Sequence, residues 1–303
     1  MQTVPILIGL SLAAFLLGHL APGDPAYFAL VVDGFTEPTP AEIEAMRIRL
    51  GLHRPPAEQY LQWVVRAAHG DLGRSFRTGE RISDKIAGRL PVTLSIAMPA
   101  LVVTAVVGIG LGTLAARHPD SISGAVIEAI CGALIATPGF LLAILLLTLV
   151  AERVSWLPVA GIGRPVHLFL PVLSVSAGAV GVTARLMRSA VLEEQSKRYV
   201  TYAHSRGTLP SRVLWSHIVP NSLPAAVTFL ANAFAGIIGG AVIIESIFAI
   251  PGLGSFAVQA VLNRDLPAIQ AFVLITGVAY VAAQLCVDMT LSVLDPRVRE
   301  ATT

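Results

Sequence analysis

Lysine occurs only twice in this 303-residue chain, as Lys85 after Asp84 and Lys197 after Ser196. A phosphate-binding P-loop needs Gly-Lys-Ser/Thr, because backbone amides and a lysine together hold the phosphates, so the chain cannot hydrolyse ATP by that route. Any such energy must come from another polypeptide. No apolar run carries a Ser/His pair, paired aspartates or a His-Glu-x-x-His arrangement, which argues against an intramembrane enzyme, and no catalytic residue is assigned. Cysteine is equally scarce. Cys131 and Cys286 each sit inside an apolar run, where a thiol packs as a small hydrophobe, and neither suggests a disulfide or a metal site. His19 and His167 are isolated, so no metal is expected. Charged residues amount to 13%, against about 25% in a soluble domain.

What is present is hydrocarbon. Apolar residues make up 54% of the chain and mean hydropathy is +0.73, the signature of a polytopic membrane protein. Uncharged intervals of roughly 20 residues match a hydrocarbon core about 30 Å thick at 1.5 Å rise per residue. Six qualify: residues 3–20, 96–116, 129–150, 168–184, 225–244 and 268–285, the last continuing to 291. The first is read as a retained helix and not a cleaved signal peptide, since residues 1–5 contain no Lys or Arg and no small-x-small site clearly precedes Pro22-Gly23-Asp24-Pro25.

Orientation follows from basic residues in short loops. Arg185, Arg188, Lys197, Arg198, Arg206 and Arg212, against Glu193 and Glu194, put the loop between the fourth and fifth spans in the cytoplasm. Arg117-His118 and the tail with Arg297 and Arg299 then share that side, and both termini are cytoplasmic. The interval 22–91 lies outside with nine basic and nine acidic residues. The net charge of +2 thus reflects membrane orientation and not nucleic-acid binding.

The outer interval is patterned. Thr39-Pro40-Ala41-Glu42 is a capping box with proline in the first turn, opening a helix through Leu50 that stops at Gly51. A second helix over 57–68 would bear an apolar stripe of Tyr60, Leu61, Val64 and Val65. This predicts a small helical scaffold that packs on the helix ends or docks an external partner. Within the third span, Thr137-Pro138-Gly139 predicts a kink, which serves packing or lines a pathway as a substrate contact. In the fifth, Gly236, Gly239 and Gly240 permit close approach of another helix, in this chain or in a second subunit. Glu128, Glu245 and Asp288 fall near helix ends, which avoids most of the cost of a mid-membrane carboxylate; Glu245 is the one expected to face a pathway.

The segment 199–224 is the place to seek function, a polar and basic interval between two apolar runs. A short helix ending at Arg206, with Gly207 as its left-handed terminator, is followed by a second from Pro210 through His217, with Pro220 and Pro224 breaking before the fifth span. Tyr199, Ala203 and Arg206 share a face with Tyr202 beside it, and His204 and Arg212 belong to the same polar surface. Such an aromatic and basic ridge could seat in a groove on a soluble protein.

Gly207, nine residues, then His217-Ile218-Val219-Pro220 resembles the glycine and Ile-x-Leu-Pro spacing of the EAA motif in permease subunits of bacterial ABC importers, with Thr201-Tyr202-Ala203 in place of Glu-Ala-Ala. Similarity to the dipeptide/oligopeptide/nickel family of these permeases, the binding-protein-dependent inner membrane components, then runs nearly end to end. It is carried by Pro22-Gly23-Asp24-Pro25, Leu50-Gly51-Leu52, Gly70-Asp71-Leu72-Gly73 with Ser75, Leu90-Pro91-x-Thr93-Leu94, Ala184-Arg185-Leu186-x-Arg188-Ser189, Glu245-x-Ile247-Phe248, Pro251-Gly252-Leu253-Gly254, Arg264-Asp265-x-Pro267 and Asp295-Pro296-Arg297. There are two departures: the family's basic pair before its first helix is missing, as if the N-terminus were shortened, and the interval 151–167 is brief, as in nickel-type members.

The resemblance implies an all-α integral membrane protein with six transmembrane helices, a type I ABC importer permease fold and a small extracytoplasmic scaffold after the first helix. Its parts would be residues 1–88, helix and scaffold; 89–294, permease domain; and 295–303, cytoplasmic tail. It also implies partners in a bacterial inner membrane: a homologous second permease, two ATP-binding subunits that hold ATP and magnesium, and an extracytoplasmic solute-binding protein. This chain would hold no cofactor. Its expected cargo is di- or oligopeptides, with nickel or a nickel chelate as the alternative. An ion-coupled secondary transporter is the rival class, but it calls for midplane polar groups or paired broken helices, and neither stands out.

Overall fold

The computed structural model describes residues 3–20, 23–32, 37–154 and 156–294. The expectations for Pro22, for the tail 295–303 and for the side chains of His19 and Asp288 lie outside what is described. The described elements are helical: α1 (Thr3–Leu20), α2 (Pro25–Val32), α3 (Pro40–Arg49), α4 (Pro56–Ala68), α5 (Ile82–Arg117), α6 (Ile122–Ala136), α7 (Gly139–Leu146), α8 (Phe169–Gln195), α9 (Arg198–Ser205), α10 (Pro210–Val213), α11 (Val219–Ile247), α12 (Leu253–Leu262) and α13 (Leu266–Leu294). One π turn, Leu147–Ala151, extends α7, and another, Leu214–Ile218, joins α10 to α11.

Four stretches are long and apolar enough to cross a bilayer: Ile82–Arg117, Pro165–Gln195, Pro210–Ile247 and Leu266–Cys286. A fifth is counted if α6 and α7 are one span, bent by 102°. Thr137-Pro138 therefore makes a break where the sequence predicted a kink. Thr137 is extended (φ −91°, ψ 116°), as a residue before proline prefers, and its Oγ1 donates to the Ala133 carbonyl at 2.8 Å. The first expected span corresponds to α1, whose apolar part among residues with described side chains is Pro5–Leu16. By length and composition, the expected six spans are thus not reached among the described residues.

The chain divides into two compact units, Met1–Thr93 with Pro251–Val281, and Leu94–Ile250 with Ala282–Thr303. The boundary expected at 88/89 falls inside α5, a continuous helix of 36 residues.

In the first unit the capping box forms as predicted: Thr39 N–H donates to Glu42 Oε2 at 2.7 Å and Glu42 N–H to Thr39 Oγ1 at 3.4 Å. The bond from Thr39 holds the Glu42 carboxyl below its usual range. Asp24 accepts from Ala26 N–H at the start of α2 and pairs with Arg47 of α3 at 2.7 Å, locking these helices over Ala26, Leu30 and Met46. Helix α4 sits against α1 through Tyr60, whose hydroxyl lies 2.8 Å from Ser11 Oγ, and through Tyr60 and Trp63 against the Phe15 ring. The predicted stripe is corrected here. Leu61 and Val65 are exposed, because the seam follows residues 60, 63, 64 and 67.

Motifs far apart in sequence meet in this unit. Ser75 Oγ donates to Asp265 Oδ2 and Phe76 N–H to Asp265 Oδ1, across about 190 residues. Thr93 Oγ1 accepts from Leu253 N–H at 2.8 Å, and the Arg89 guanidinium lies 5.4 Å from the Phe256 ring centre. Around these bonds Ile82, Ile86, Leu253, Phe256, Ala260, Ala268 and Ala271 form the core.

In the second unit α8 is the central element, packed by α6, α7 and α11. Its buried Ser174 and Thr183 donate to carbonyls four residues back, Leu170 and Ala179, each at 2.8 Å, so the hydroxyls present no open polar group to lipid. Gly108 and Gly112 bring α5 close to α8. A Cβ at Gly112 would stand 2.4 Å from the Ala184 carbonyl oxygen, and one at Gly108 2.6 Å from Thr183 Cβ. The close-packing expectation for the fifth span holds only for Gly240, near Val175; a Cβ at Gly236 or Gly239 would enter open space.

Gly112→Ala should lower stability by about 1–3 kcal/mol, since backbone cannot yield as a side chain does. Gly110→Ala, where a Cβ would meet nothing within 4 Å, is the control. Thermal unfolding of the two purified variants in detergent checks this; equal melting would refute the close approach.

Candidate coupling segment

The segment begins where α8 ends. Glu194 takes bonds from the Lys197 ammonium and from Tyr199 Oη, the latter at 2.7 Å, while Asn221 Nδ2 donates to Tyr199 Oη at 3.4 Å. The bond to Glu194 raises the Lys197 ammonium above its ordinary value, and burial raises the Tyr199 phenol. One carboxylate thus fixes the turn from α8 into α9.

Helix α9 ends as the sequence predicted. Gly207 has φ +79°, its N–H donates to the His204 carbonyl at 2.9 Å, and Thr208 N–H reaches the Ala203 carbonyl at 3.2 Å. These two bonds are a Schellman motif, which a glycine enters without steric penalty. Beneath it, Val200, Val213, Leu214, Ile218 and Val219 are buried with Met187, Val191 and Ala116. The segment is therefore a structured ledge and not a solvated loop.

Two expectations are corrected. Pro220 and Pro224 do not break the chain before the fifth span: Pro210–Ile247 runs on as one apolar stretch. Pro220 falls in the first turn after the π segment, where its missing N–H matters least, and Pro224 is carried inside α11. The ridge is also composed differently. Tyr199 and Ala203 pack against the buried cluster, so they anchor the ledge instead of presenting a face.

The exposed surface is Tyr202, His204, Arg206 and Arg212 from the expected set, joined by Leu209 and Trp215. Tyr202, Leu209 and Trp215 are 63%, 69% and 56% exposed, and the Arg206 guanidinium lies 5.6 Å from the Tyr202 ring centre. Leu209 and Trp215 were missed. Their signal was large apolar residues among polar neighbours, Leu209 before α10 and Trp215 in the π turn after it, which sequence reading assigns to the core by default.

The other candidates lie apart from this ledge. Thr137, Pro138 and Gly139 form the break between α6 and α7. Glu245, near the C-terminal end of α11, is fully buried in its unit, which corrects the expectation that it faces an open pathway.

The sequence matches two family models: binding-protein-dependent transport system inner membrane component over residues 108–300, and the N-terminal part of such membrane components over residues 1–97. It is 39% identical to a putative peptide transport system permease protein of Brucella abortus (strain 2308), covering 98% of this chain and 96% of that one. It is 32% identical to the glutathione transport system permease protein of Escherichia coli O6:H1, covering 98% and 95%. Among solved structures, a chain of the MetNI methionine ABC transporter in inward-facing conformations superimposes with TM-score 0.59 at 15% identity, over 70% of this chain and 96% of that one. At that identity the likeness shows the fold alone, the type I ABC importer permease fold.

Tyr199→Phe, which removes the bond to the Glu194 carboxylate, should cost about 1–2 kcal/mol of stability. Tyr202→Ala, on the exposed face, should stay within about 0.5 kcal/mol of the parent. Unfolding in detergent would reverse this order if the anchor and the ridge were wrongly assigned.

Proposed function

Because the chain belongs to the family of inner membrane components of binding-protein-dependent transport systems, a multi-pass transport permease family, we propose that it forms half of a peptide-conducting path and couples that path to ATPase subunits through the 199–215 ledge. The observation that carries this reading is the contrast within the ledge. Its inner side is locked by Glu194, Tyr199 and the Schellman turn, while its outer side exposes Tyr202, Arg206, Leu209, Arg212 and Trp215. A rigid base with an exposed aromatic and basic face transmits force, whereas a soft loop would absorb it. Two ATP-binding subunits holding ATP and magnesium, a homologous second permease and an external solute-binding protein complete the assembly. The open face of α11 at Gly236 and Gly239, where a Cβ would meet nothing, suits the second permease.

The basic ledge lies in the cytoplasm of a bacterial cell, with the inner membrane around the spans and both termini on the ledge side. Peptides are the cargo, supported by relatives named for peptide and glutathione transport. Those names favour peptides over nickel.

The test is reconstitution of the chain with its second permease, ATPase and binding-protein partners in proteoliposomes, with a labelled tripeptide as cargo. Leu209→Asp alters only the exposed face, and Gly207→Val strains a position at φ +79° by about 1–2 kcal/mol. Both variants should insert normally yet lose ATPase co-purification and peptide uptake, with cargo loading of the binding protein unchanged. Ala203→Asp is a poor probe, because it would push a charge against the buried cluster. Full uptake by Leu209→Asp would remove the ledge from the mechanism, and ATP-driven uptake of nickel without peptide would overturn the cargo.

A further inference from the structure

One charged cluster has no part in the coupling ledge. Arg188 of α8 pairs with Glu128 of α6 at 2.8 Å, yet the Arg188 Nε is a buried donor with no acceptor among the described residues. One turn deeper, the exposed Arg185 lays its guanidinium over α6 at Gly132, so close that a Cβ there would stand 3.0 Å from an Arg185 terminal nitrogen. No carboxylate lies within ion-pair distance of Arg185 among the described residues. The register is that of two antiparallel helices: Glu128 and Gly132 one turn apart on α6, facing Arg188 and Arg185 on α8. The cluster therefore holds two guanidiniums against one carboxylate.

Its depth narrows the ligand. The stretch Pro165–Gln195 has 31 residues, about 46 Å at 1.5 Å per residue against a hydrocarbon core of about 30 Å. With the excess shared between its ends, Arg188 stands at the hydrocarbon rim beside the basic ledge and Arg185 about one turn inside it, within reach of headgroup phosphates. Ser189 adds an exposed hydroxyl one turn from Arg185, and the half-exposed Leu186 and Ile135 flank the cluster with apolar surface suited to acyl chains. A guanidinium is built to hold a phosphate through two parallel N–H bonds; the exposed Arg185 supplies donors that the protein leaves unused, and Arg188, whose side chain is a quarter exposed, adds positive charge behind it.

We propose that the α6–α8 seam at Arg185, Arg188 and Gly132 binds the phosphate of an anionic phospholipid in the leaflet next to the basic ledge. Glu128 limits the affinity by competing for Arg188, so the lipid is exchangeable. Gly132 is the floor of the site, because any side chain there would displace Arg185.

The test uses the full-length chain in nanodiscs of phosphatidylcholine with added phosphatidylglycerol, counting retained lipids by native mass spectrometry. The parent should retain phosphatidylglycerol in preference to phosphatidylcholine. Arg185→Gln should cut that preference about fivefold, as expected for one arginine near an anionic surface. Gly132→Leu, which keeps every charge, should reduce it in the same direction, and Glu128→Gln should raise it by freeing Arg188. The opposite signs keep the test decisive if one variant fails to fold. Equal retention of both lipids by the parent, or a preference unmoved by all three substitutions, overturns the proposal. So does a phosphatidylglycerol preference unchanged in Arg185→Gln together with selective loss of uptake of a free-carboxylate peptide over its amidated form. That outcome would assign the guanidinium to cargo, and it is separate from a parent that imports no peptide at all, which would defeat only the transport reading.

Discussion

A bilayer offers no water to an unpaired polar group, and α8 is where this constraint organises the second unit. Buried hydroxyls on α8 close onto its own carbonyls, as at Ser174 and Thr183. Two glycines on α5 allow backbone to approach backbone, as at Gly112 and Ala184. A helix so completed internally can be surrounded by other helices, and α6, α7 and α11 pack upon it. The ledge that follows grows from its last turn, where Glu194 ties down Lys197 and Tyr199. Rigidity of the spans and position of the ledge thus have a common origin.

The same logic explains why the proposed sites lie at the margins of the helices. Deep in the spans, hydroxyls such as those of Ser174 and Thr183 are spent on internal satisfaction, and even Glu245 is enclosed. Toward the ends of the helices, guanidiniums and aromatic rings stand free of that demand, as at Arg206 on Tyr202 and at Arg185. In the first unit, the bond from Ser75 to Asp265 does for segments about 190 residues apart what the Schellman turn does for the ledge, fixing the chain through a few directional contacts.

Much of this was legible in the sequence. The membrane class followed from uncharged intervals, and the capping box at Thr39 and the left-handed Gly207 followed from local stereochemistry. In each case the cause lies within a few residues of the effect. Errors arose where neighbours outside the segment decide. The seam on α4 chose Trp63 over Leu61 because Phe15 and Ser11 of α1 lie on that side. Pro220 failed to stop a helix because a π turn absorbed it, and Tyr199 turned inward because Glu194 and Asn221 offer its hydroxyl two partners.

The sequence by itself determined that the chain crosses a membrane several times, carries a basic ledge after its fourth apolar interval and lacks a P-loop, because these depend on composition and on motifs read within one segment. Tertiary structure alone decided which faces of the ledge are anchor and which are ridge, that Thr137-Pro138 breaks its span by 102°, and that Arg185 lies over Gly132 beside an ion pair. Those outcomes depend on where a second helix stands, and helical periodicity specifies that a face exists without specifying what will cover it.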